Sequence, residues 1–295
     1  MQIIDGKKVA AEVKEELKAA IEKGLAEGLR APRIGAVIVG HDGGSEAYIG
    51  NLKRNCEKLG VDFTLFRAED DITEEKFLEV IADFNANDEI DGYIIQFPLP
   101  RHINTQHVIE AIDPAKDMDG MNPINVGRMY IGLEANKPAT PSSVLELIRR
   151  YEIPTSGKHA VVIGRSDVIG KPVSTMLLQK GYPGDCTVTV CHSRTKDIEK
   201  ICREADILIA ALGKPGFVKA DMVKDGAVVL DVGTTMVKDE TSKTGWRLKG
   251  DVDFDNVAPK TQYITPVPGG VGPLTICCLL GNLVRAWQKH LNHNH

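Results

Sequence analysis

The strongest indication of the fold is the stretch Val161-Val162-Ile163-Gly164-Arg165-Ser166-Asp167-Val168-Ile169-Gly170-Lys171-Pro172. Its apolar start predicts a buried strand, its glycines a tight turn, and its proline the start of a helix. Such a turn presents backbone N–H groups and a helix N-terminus to a phosphate. The glycine spacing is not that of the usual dinucleotide-binding motif, so a plain strand-to-helix turn remains an alternative. We interpret the stretch as the phosphate turn of a Rossmann-like unit.

The next predicted strand ends at Cys191 and is followed by His192-Ser193-Arg194-Thr195. A site for NAD usually has Asp or Glu here to hold the ribose hydroxyls. This chain instead offers Ser193 and Arg194, with Arg165 on the first turn, and two arginines suit a 2′-phosphate by charge and geometry. We therefore predict NADP as the cofactor, with NAD as the alternative. The arginines could also be merely solvated.

Around this stretch the chain alternates apolar strands with amphipathic helices, which is typical of parallel sheets with crossover helices. We predict two α/β domains, the second a Rossmann-like doubly wound parallel sheet over residues 140–274. The first comprises residues 1–139 and 275–295. Thr140-Pro141 is expected to begin a helix over 142–151. The strands are predicted over residues 33–39, 61–66, 92–97, 159–163, 187–191, 206–210 and 227–231, with further helices over 45–59 and 275–288.

Composition excludes several classes of function. The 295 residues carry a net charge of -5, which argues against non-specific nucleic-acid binding. No apolar run approaches the ~20 residues that span a membrane, and the N-terminus does not resemble a signal peptide. The six cysteines form no C-x-x-C pair, as expected for reduced cysteines. We expect a cytoplasmic protein with no membrane or nucleic-acid partner and no metal site.

Three further segments point to a family. They are Gln96-Phe97-Pro98-Leu99-Pro100, Asp113-Pro114-Ala115-Lys116-Asp117-Met118-Asp119-Gly120 and Thr265-Pro266-Val267-Pro268-Gly269-Gly270-Val271-Gly272-Pro273-Leu274-Thr275. With Tyr48 and the Gly164 turn, they closely resemble the methylenetetrahydrofolate dehydrogenase/cyclohydrolase (FolD) family. The resemblance runs from Ile4-Asp5-Gly6 to the C-terminal helix.

The resemblance implies two activities of one-carbon metabolism. The first oxidises 5,10-methylenetetrahydrofolate by hydride transfer to NADP or NAD, and the second hydrolyses the methenyl cation to 10-formyltetrahydrofolate, which supplies purine biosynthesis. It also implies an active site in the cleft between two domains, with the C-terminal helix returning to the first. Tetrahydrofolate derivatives are the implied partners, and a homodimer is the implied assembly.

The resemblance also assigns roles to residues. Tyr48 matches a tyrosine that lines the folate site, Gln96 a glutamine that hydrogen-bonds a catalytic lysine, and Asp119 the carboxylate that holds the pterin ring. A carboxylate can accept two pterin N–H groups. Without the family match, Tyr48 could be a core aromatic and Asp119 a turn former. The glycine-rich loop is expected to contact substrate through Pro268, Gly269 and Gly270. The cofactor is expected to contact Gly164, Arg165, Ser166, Ile169, Ser193, Arg194, Gly213 and Thr234.

One position departs from the family. The lysine is expected four residues after Tyr48, where this chain has Leu52. Lys53 should not replace it, because one residue along a helix turns the side chain by about 100°. Hydride transfer needs mainly alignment, whereas hydrolysis needs an activated water. We therefore predict a dehydrogenase with weak or absent cyclohydrolase activity.

Three alternatives remain open. One is a fully bifunctional dehydrogenase/cyclohydrolase in which another group activates water. Another is a non-catalytic folate or nucleotide sensor. The third is a different two-domain dehydrogenase of similar architecture, which the fold alone does not exclude.

Overall fold

The computed structural model describes residues 1–41, 43–242 and 244–292. Helices and strands alternate along most of this range, with short 3₁₀ turns at Ala220–Met222 and Ala258–Lys260. In chain order the elements are β1 (Gln2–Ile3), α1 (Gly6–Ala26), β2 (Arg33–Val39), α2 (Gly43–Leu59), β3 (Asp62–Ala68), α3 (Glu74–Ala86), β4 (Gly92–Ile95), α4 (Thr105–Ala111), α5 (Pro123–Tyr130), α6 (Ala139–Arg150), β5 (His159–Ile163), α7 (Gly170–Leu178), β6 (Thr187–Cys191), α8 (Ile198–Arg203), β7 (Ile207–Ala210), β8 (Val228–Asp231), β9 (Thr235–Lys238), β10 (Trp246–Lys249), α9 (Phe254–Val257), β11 (Tyr263–Ile264) and α10 (Gly272–Asn292).

The chain divides into two compact units, which we name by their sheets. The large-sheet unit comprises residues 1–11 and 139–275, and the small-sheet unit comprises residues 12–138 and the chain from residue 276. Both contain parallel sheets with helical crossovers, so the predicted two-domain α/β fold is confirmed.

The large-sheet unit contains six parallel strands in the order β1-β11-β8-β7-β5-β6. The sequence order reverses at β5, where such sheets bind ligands at the carboxyl ends of their strands. The central strands are apolar on both faces, and every residue of β7 and β8 is buried. This is the pattern of a parallel sheet covered on both sides.

The small-sheet unit contains three parallel strands in the order β3-β2-β4. Its core includes Phe77 and Tyr93, and the chain returns to it through α10. In α10, Trp287 is fully buried and donates from Nε1 to the carbonyl of Arg30 at 3.0 Å, while Asn282 donates to the carbonyl of Met118 at 2.8 Å. The C-terminal helix therefore belongs with the small sheet.

The N-terminal boundary differs from the predicted one. Residues 1–11 belong to the large-sheet unit rather than to the first domain. There β1 extends the sheet, with N–H groups of Gln2 and Ile4 donating to carbonyls of Gln262 and Ile264 at 2.7 and 2.8 Å. A two-residue strand held by backbone pairing has no side-chain periodicity, so the sequence did not indicate it.

Several helices begin earlier than predicted. The helix expected from residue 142 begins at Ala139, so Thr140-Pro141 lies inside its first turn and does not precede it. The helix expected over 45–59 begins at Gly43, so Ser45 is a buried residue within its first turn. Glycine and alanine starts carry little capping signal, which explains the errors. The antiparallel pair β9 and β10 was also not predicted.

Candidate active site

Asp119 of the small-sheet unit carries a carboxylate with no internal partner. No residue in the described part of the chain donates a hydrogen bond to it. Its side chain is half-buried, and burial, with the nearby charge of Asp117, raises its pKa to about 7. Loss of hydration without replacement donors disfavours the ionised form. The carboxylate would therefore gain from N–H groups supplied by a ligand.

Tyr48 lies close enough to Asp119 to feel its charge. Burial, and then that charge, raise the pKa of Tyr48 well above its usual value, so the phenol stays protonated. The residue is half-buried near the start of α2. The structure thus places the Tyr48 hydroxyl within the electrostatic reach of Asp119, without a hydrogen bond between them among the described residues.

Asp117 lies two residues before Asp119 but has a different environment. Its side chain is buried, and Oδ2 accepts hydrogen bonds from the Asn122 backbone at 2.8 Å and from Asn125 Nδ2 at 3.0 Å. Burial raises its pKa, and these hydrogen bonds oppose the rise. Asp117 therefore fixes the segment on which Asp119 stands.

Gln96 follows β4 directly. Its backbone N–H donates to the carbonyl of Val37 at 2.8 Å, and its side-chain amide donates to the carbonyl of Phe97 at 3.2 Å. Because β2 and β4 are parallel neighbours, Gln96 lies at the same sheet edge as the loop that leads into α2 and Tyr48. No hydrogen bond joins Gln96 to Tyr48 or Asp119 within the described residues.

Leu52 is fully buried on the inner face of α2, together with Ile49 and Cys56. Lys53 and Arg54 are exposed, so Lys53 does not point to the buried face of α2 that carries Leu52. Burial raises the pKa of the Cys56 thiol to about 12, as in an apolar setting. Leu52 therefore supplies an apolar contact where a basic group is expected.

In the large-sheet unit, the phosphate turn depends on close backbone approach. Gly164 has φ +132, and a Cβ there would lie 2.3 Å from the carbonyl oxygen of Ala211. Ser166 Oγ accepts hydrogen bonds from the backbone N–H groups of Ile169 and Gly170, at 3.2 and 3.3 Å, so it caps α7. The hydroxyl that we expected to contact cofactor is thus partly occupied within the turn.

The predicted cations lie at one edge of the large sheet. Arg165 follows β5, and Ser193 and Arg194 follow β6, its parallel neighbour, with Ile163 paired to Cys191. All three side chains are exposed. Neither guanidinium forms an ion pair within the described residues, and no acidic residue occupies the ribose position. The edge therefore presents available positive charge.

Gly213 and Thr234 lie in the loops after β7 and β8 and are exposed. Gly213 has φ +68, and its N–H donates to Asp251 at 3.0 Å. That N–H is therefore used inside the protein. Asp251, and its neighbour Asp231, were not singled out from the sequence.

The glycine-rich loop packs against the N-terminal segment. Gly6 donates to the carbonyl of Gly269 at 2.9 Å, and a Cβ at Gly6 would lie 1.7 Å from the carbonyl oxygen of Gly270. Only glycine allows this approach. The loop that we expected to contact substrate, Pro268 to Gly270, is thus supported by residues from the start of the chain.

The described residues, 1–41, 43–242 and 244–292, contain neither a metal-binding cluster nor a membrane-spanning helix. No group of three or more His, Cys, Asp or Glu side chains is arranged to hold a metal ion. No helix there is long and apolar enough to cross a membrane.

Two family models match the chain. The catalytic-domain model of tetrahydrofolate dehydrogenase/cyclohydrolase matches residues 4–119, and the NAD(P)-binding-domain model of the same family matches residues 138–291. The chain belongs to this family. The resemblance drawn from the motifs is therefore confirmed, and the protein is an enzyme of the tetrahydrofolate dehydrogenase/cyclohydrolase class with a nicotinamide-nucleotide domain.

Individual relatives of this family extend over the whole chain. A protein of Porphyromonas gingivalis named bifunctional protein FolD is 56% identical over 97% of this chain and 96% of the relative. The crystal structure of bifunctional FolD from Campylobacter jejuni is 40% identical, with TM-score 0.92 over 98% of this chain and 99% of that one. The Trypanosoma brucei enzyme, solved with NADP cofactor and an inhibitor, is 36% identical, with TM-score 0.90 over 98% of both chains.

Proposed function

We propose that this protein is a bifunctional 5,10-methylenetetrahydrofolate dehydrogenase and methenyltetrahydrofolate cyclohydrolase. The observation that carries the proposal is the unpartnered Asp119 carboxylate beside the protonated Tyr48. In a chain of this family, such a carboxylate suits the N–H edge of a pterin. The names of relatives more than half identical to this chain support both activities, and they favour this alternative over the dehydrogenase with weak cyclohydrolase that the sequence suggested.

Binding comes first. Asp119 accepts the pterin N–H groups, and the Tyr48 hydroxyl lines the same site. Donation by the ligand favours the ionised carboxylate, so substrate binding should lower the pKa of Asp119 from about 7. Pro268, Gly269 and Gly270 of the large-sheet unit are the further residues that we propose for substrate contact, and Gly6 holds their loop in place.

Oxidation depends mainly on alignment. A hydride leaves the methylene carbon, and the lone pairs of the adjacent folate nitrogens stabilise the resulting methenyl cation. A nicotinamide nucleotide, when bound, would supply the hydride acceptor. The residues of this chain orient the folate, which is a positioning task.

NADP is the cofactor that the charges favour. Among the described residues, Arg165 and Arg194 have no ion-pair partner, and no carboxylate follows β6 where a ribose-binding one is usual. This arrangement fits a 2′-phosphate. The NADP complex of the Trypanosoma brucei relative supports the same choice. NAD remains the alternative cofactor.

Hydrolysis adds water to the methenyl carbon, releases a proton and opens the ring to 10-formyltetrahydrofolate. Leu52 cannot accept that proton. In this complex Asp119 is engaged by the pterin N–H groups and its pKa is lowered, so the proton passes to solvent water.

A second candidate function is a dehydrogenase with little cyclohydrolase activity. It is favoured by one observation, the complete burial of Leu52 at the position expected for lysine. General acid–base help is worth about 10²–10⁴-fold, so its loss would be measurable.

One sample tests both candidates. Reduced nucleotide formation from methylenetetrahydrofolate is followed with NADP and with NAD, and methenyltetrahydrofolate decay is followed against a buffer blank. Decay at a rate comparable with dehydrogenase turnover supports the bifunctional enzyme. Decay no faster than the blank supports the second candidate, and no nucleotide reduction overturns both.

We further propose a homodimer formed through the β6 edge. β6 ends the order of the large sheet, and Val190, on it, is 39% exposed. Nearby segments expose Leu178 and Tyr182. An unpaired edge with apolar neighbours favours pairing with a second copy. Light scattering that gives the mass of one chain would refute the dimer.

A further inference from the structure

Two buried carboxylates of the large-sheet unit have no assigned role. Asp231 ends β8, and Asp251 follows β10. Asp231 is 3% exposed and Asp251 is fully buried. Neither forms an ion pair in the described part of the chain. A buried carboxylate is costly unless hydrogen-bond donors replace its hydration, so the donors reveal what these residues do.

Asp251 binds three consecutive backbone N–H groups. Its Oδ2 accepts from Leu212 at 2.5 Å and from Gly213 at 3.0 Å, and its Oδ1 accepts from Lys214 at 2.6 Å. Successive N–H groups that converge in this way form an anion-binding concavity. Here an internal anion fills it, so the loop after β7 has its shape set before any ligand arrives.

Asp231 also accepts hydrogen bonds from three backbone N–H groups, one of which is that of Asp251. Its carboxylate accepts from the backbone N–H groups of Gly233, Asp251 and Val252 at 3.0, 2.9 and 2.9 Å. Its own N–H donates to Thr265 Oγ1 at 2.7 Å, which ties the network to the start of the Pro266 loop. Through its carboxylate and its backbone N–H, Asp231 thus connects three segments of the unit.

Two glycines make the network possible. A Cβ at Gly233 would lie 2.3 Å from Cγ of Asp251, and a Cβ at Gly250 would lie 2.0 Å from Oδ2 of Asp231. Each carboxylate therefore lies so close to the backbone of a glycine that any larger residue there would clash with it. This explains Gly233 and Gly250 by packing against an anion rather than by contact with ligand.

We propose that Asp231 and Asp251 are positioning residues for the nicotinamide nucleotide. They hold the loops that carry Gly213 and Thr234 at the carboxyl ends of β7 and β8, where ligands bind in sheets of this kind. Their six N–H donors offset the negative charge, which would otherwise oppose an anionic cofactor. The inference rests on the proposed dehydrogenase function, because it assigns these loops to its cofactor.

The first test is Asp251→Asn. The amide places an N–H against at least one of the three loop N–H groups, so the loop cannot keep its shape. We expect the Kd and KM for NADP to rise about tenfold or more, with a smaller change in kcat and little change in tetrahydrofolate affinity. The matched control is Asp253→Asn, two residues further along the chain. The half-buried Asp253 carboxylate pairs with Lys219, so its removal should leave NADP affinity unchanged.

The second test leaves both aspartates in place. Gly213→Ala strains a loop residue of φ +68 where a Cβ meets no atom within 4 Å, and it should weaken NADP binding by several-fold. Gly226→Ala is its match, with φ +78 and equally open space, but it lies in the turn before β8. It should cost similar stability and leave NADP affinity unchanged.

Hydrogen exchange of the unmodified enzyme completes the experiment. The amides of Leu212, Gly213 and Lys214 should be protected before NADP is added, because Asp251 already binds them. If these amides exchange freely until NADP is added, the inference is overturned. Folded Asp251→Asn and Gly213→Ala that bind NADP as the unmodified enzyme does would also overturn it. Failure of the unmodified enzyme to bind either nucleotide would refute the proposed function itself.

Discussion

The two units each contain a pair of carboxylates, and the pairs differ in how many donors reach them. In the large-sheet unit, Asp231 and Asp251 each accept three backbone N–H groups. In the small-sheet unit, Asp117 is bonded to Asn122 and Asn125, whereas Asp119 has no donor among the described residues.

The number of internal hydrogen-bond donors distinguishes aspartates that organise the backbone from an aspartate that binds a ligand. A buried carboxylate whose donors all come from the protein organises backbone. One that is desolvated and left without donors raises the energy of the empty site and gains most from a ligand that supplies them. We therefore assign Asp119 to the pterin, and Asp117, Asp231 and Asp251 to positioning.

The largest expected effect is that of Asp119→Ala on turnover. Two charge-assisted hydrogen bonds of about 1.5–3 kcal/mol each would be lost, which corresponds to about 10²–10⁴-fold in kcat/KM for methylenetetrahydrofolate. Asp83→Ala, which removes an exposed carboxylate of the same unit, serves as the control. If Asp119→Ala has the same kcat/KM as the unmodified enzyme, Asp119 does not bind the substrate and the distinction between the two pairs of carboxylates is wrong.

Leu52→Lys tests the buried position of α2 at which a lysine is expected. If the second candidate function is correct, the lysine should accelerate methenyltetrahydrofolate decay by about 10²–10⁴-fold. The fully buried position should also lower the melting temperature, because an amine loses hydration there. Leu52→Met keeps the side-chain volume and should change neither the rate of methenyltetrahydrofolate decay nor the rate of the dehydrogenase reaction. No gain from lysine in a folded variant would mean that the missing amine does not limit hydrolysis.

Stability should respond in opposite directions in the two units. Asp251→Asn should lower the free energy of unfolding by about 2–4 kcal/mol, because buried N–H groups lose their acceptor. Asp119→Asn at pH 8 should leave it unchanged or higher. The pKa of Asp119 is raised in the folded state, so between about pH 4 and pH 7 the native protein binds more protons than the unfolded one; its stability falls across that window and then levels off. Urea denaturation measures both, and a comparable loss in each variant would contradict the distinction.

The smallest effect concerns the available cations of the large sheet. Arg194→Ala should lower kcat/KM for NADP by about tenfold and leave that for NAD nearly unchanged, since only NADP has the 2′-phosphate. Lys200→Ala removes an exposed cation of α8 and is the control. Equal losses with both nucleotides would show that Arg194 does not read the phosphate.

Much of the fold could be predicted because buried parallel strands are apolar runs bounded by turns. The predicted strands 159–163 and 187–191 coincide with β5 and β6. The short strands β1 and β11 could not be predicted, since two residues show no periodicity and their pairing joins distant parts of the chain.

The residues of the candidate site also fall into those that the sequence could predict and those that it could not. Tyr48, Gln96 and Asp119 were found because they stand in recognisable motifs, and their roles remain proposals. Asp251 was missed because its hydrogen bonds reach residues 37 to 39 positions away, where no local pattern links the partners. Only the folded structure shows which carboxylates receive hydrogen bonds from the protein and which one does not.

Proton release on folate binding tests the central distinction most directly. At pH 6 the Asp119 carboxyl, with its pKa near 7, is mostly protonated, and pterin donors favour its ionised form. Calorimetric titration with tetrahydrofolate in two buffers of different ionisation enthalpy should show release of most of one proton. Asp119→Asn should release none. If the unmodified enzyme binds tetrahydrofolate without releasing a proton, or the variant releases as much, then Asp119 is not the carboxylate that holds the pterin.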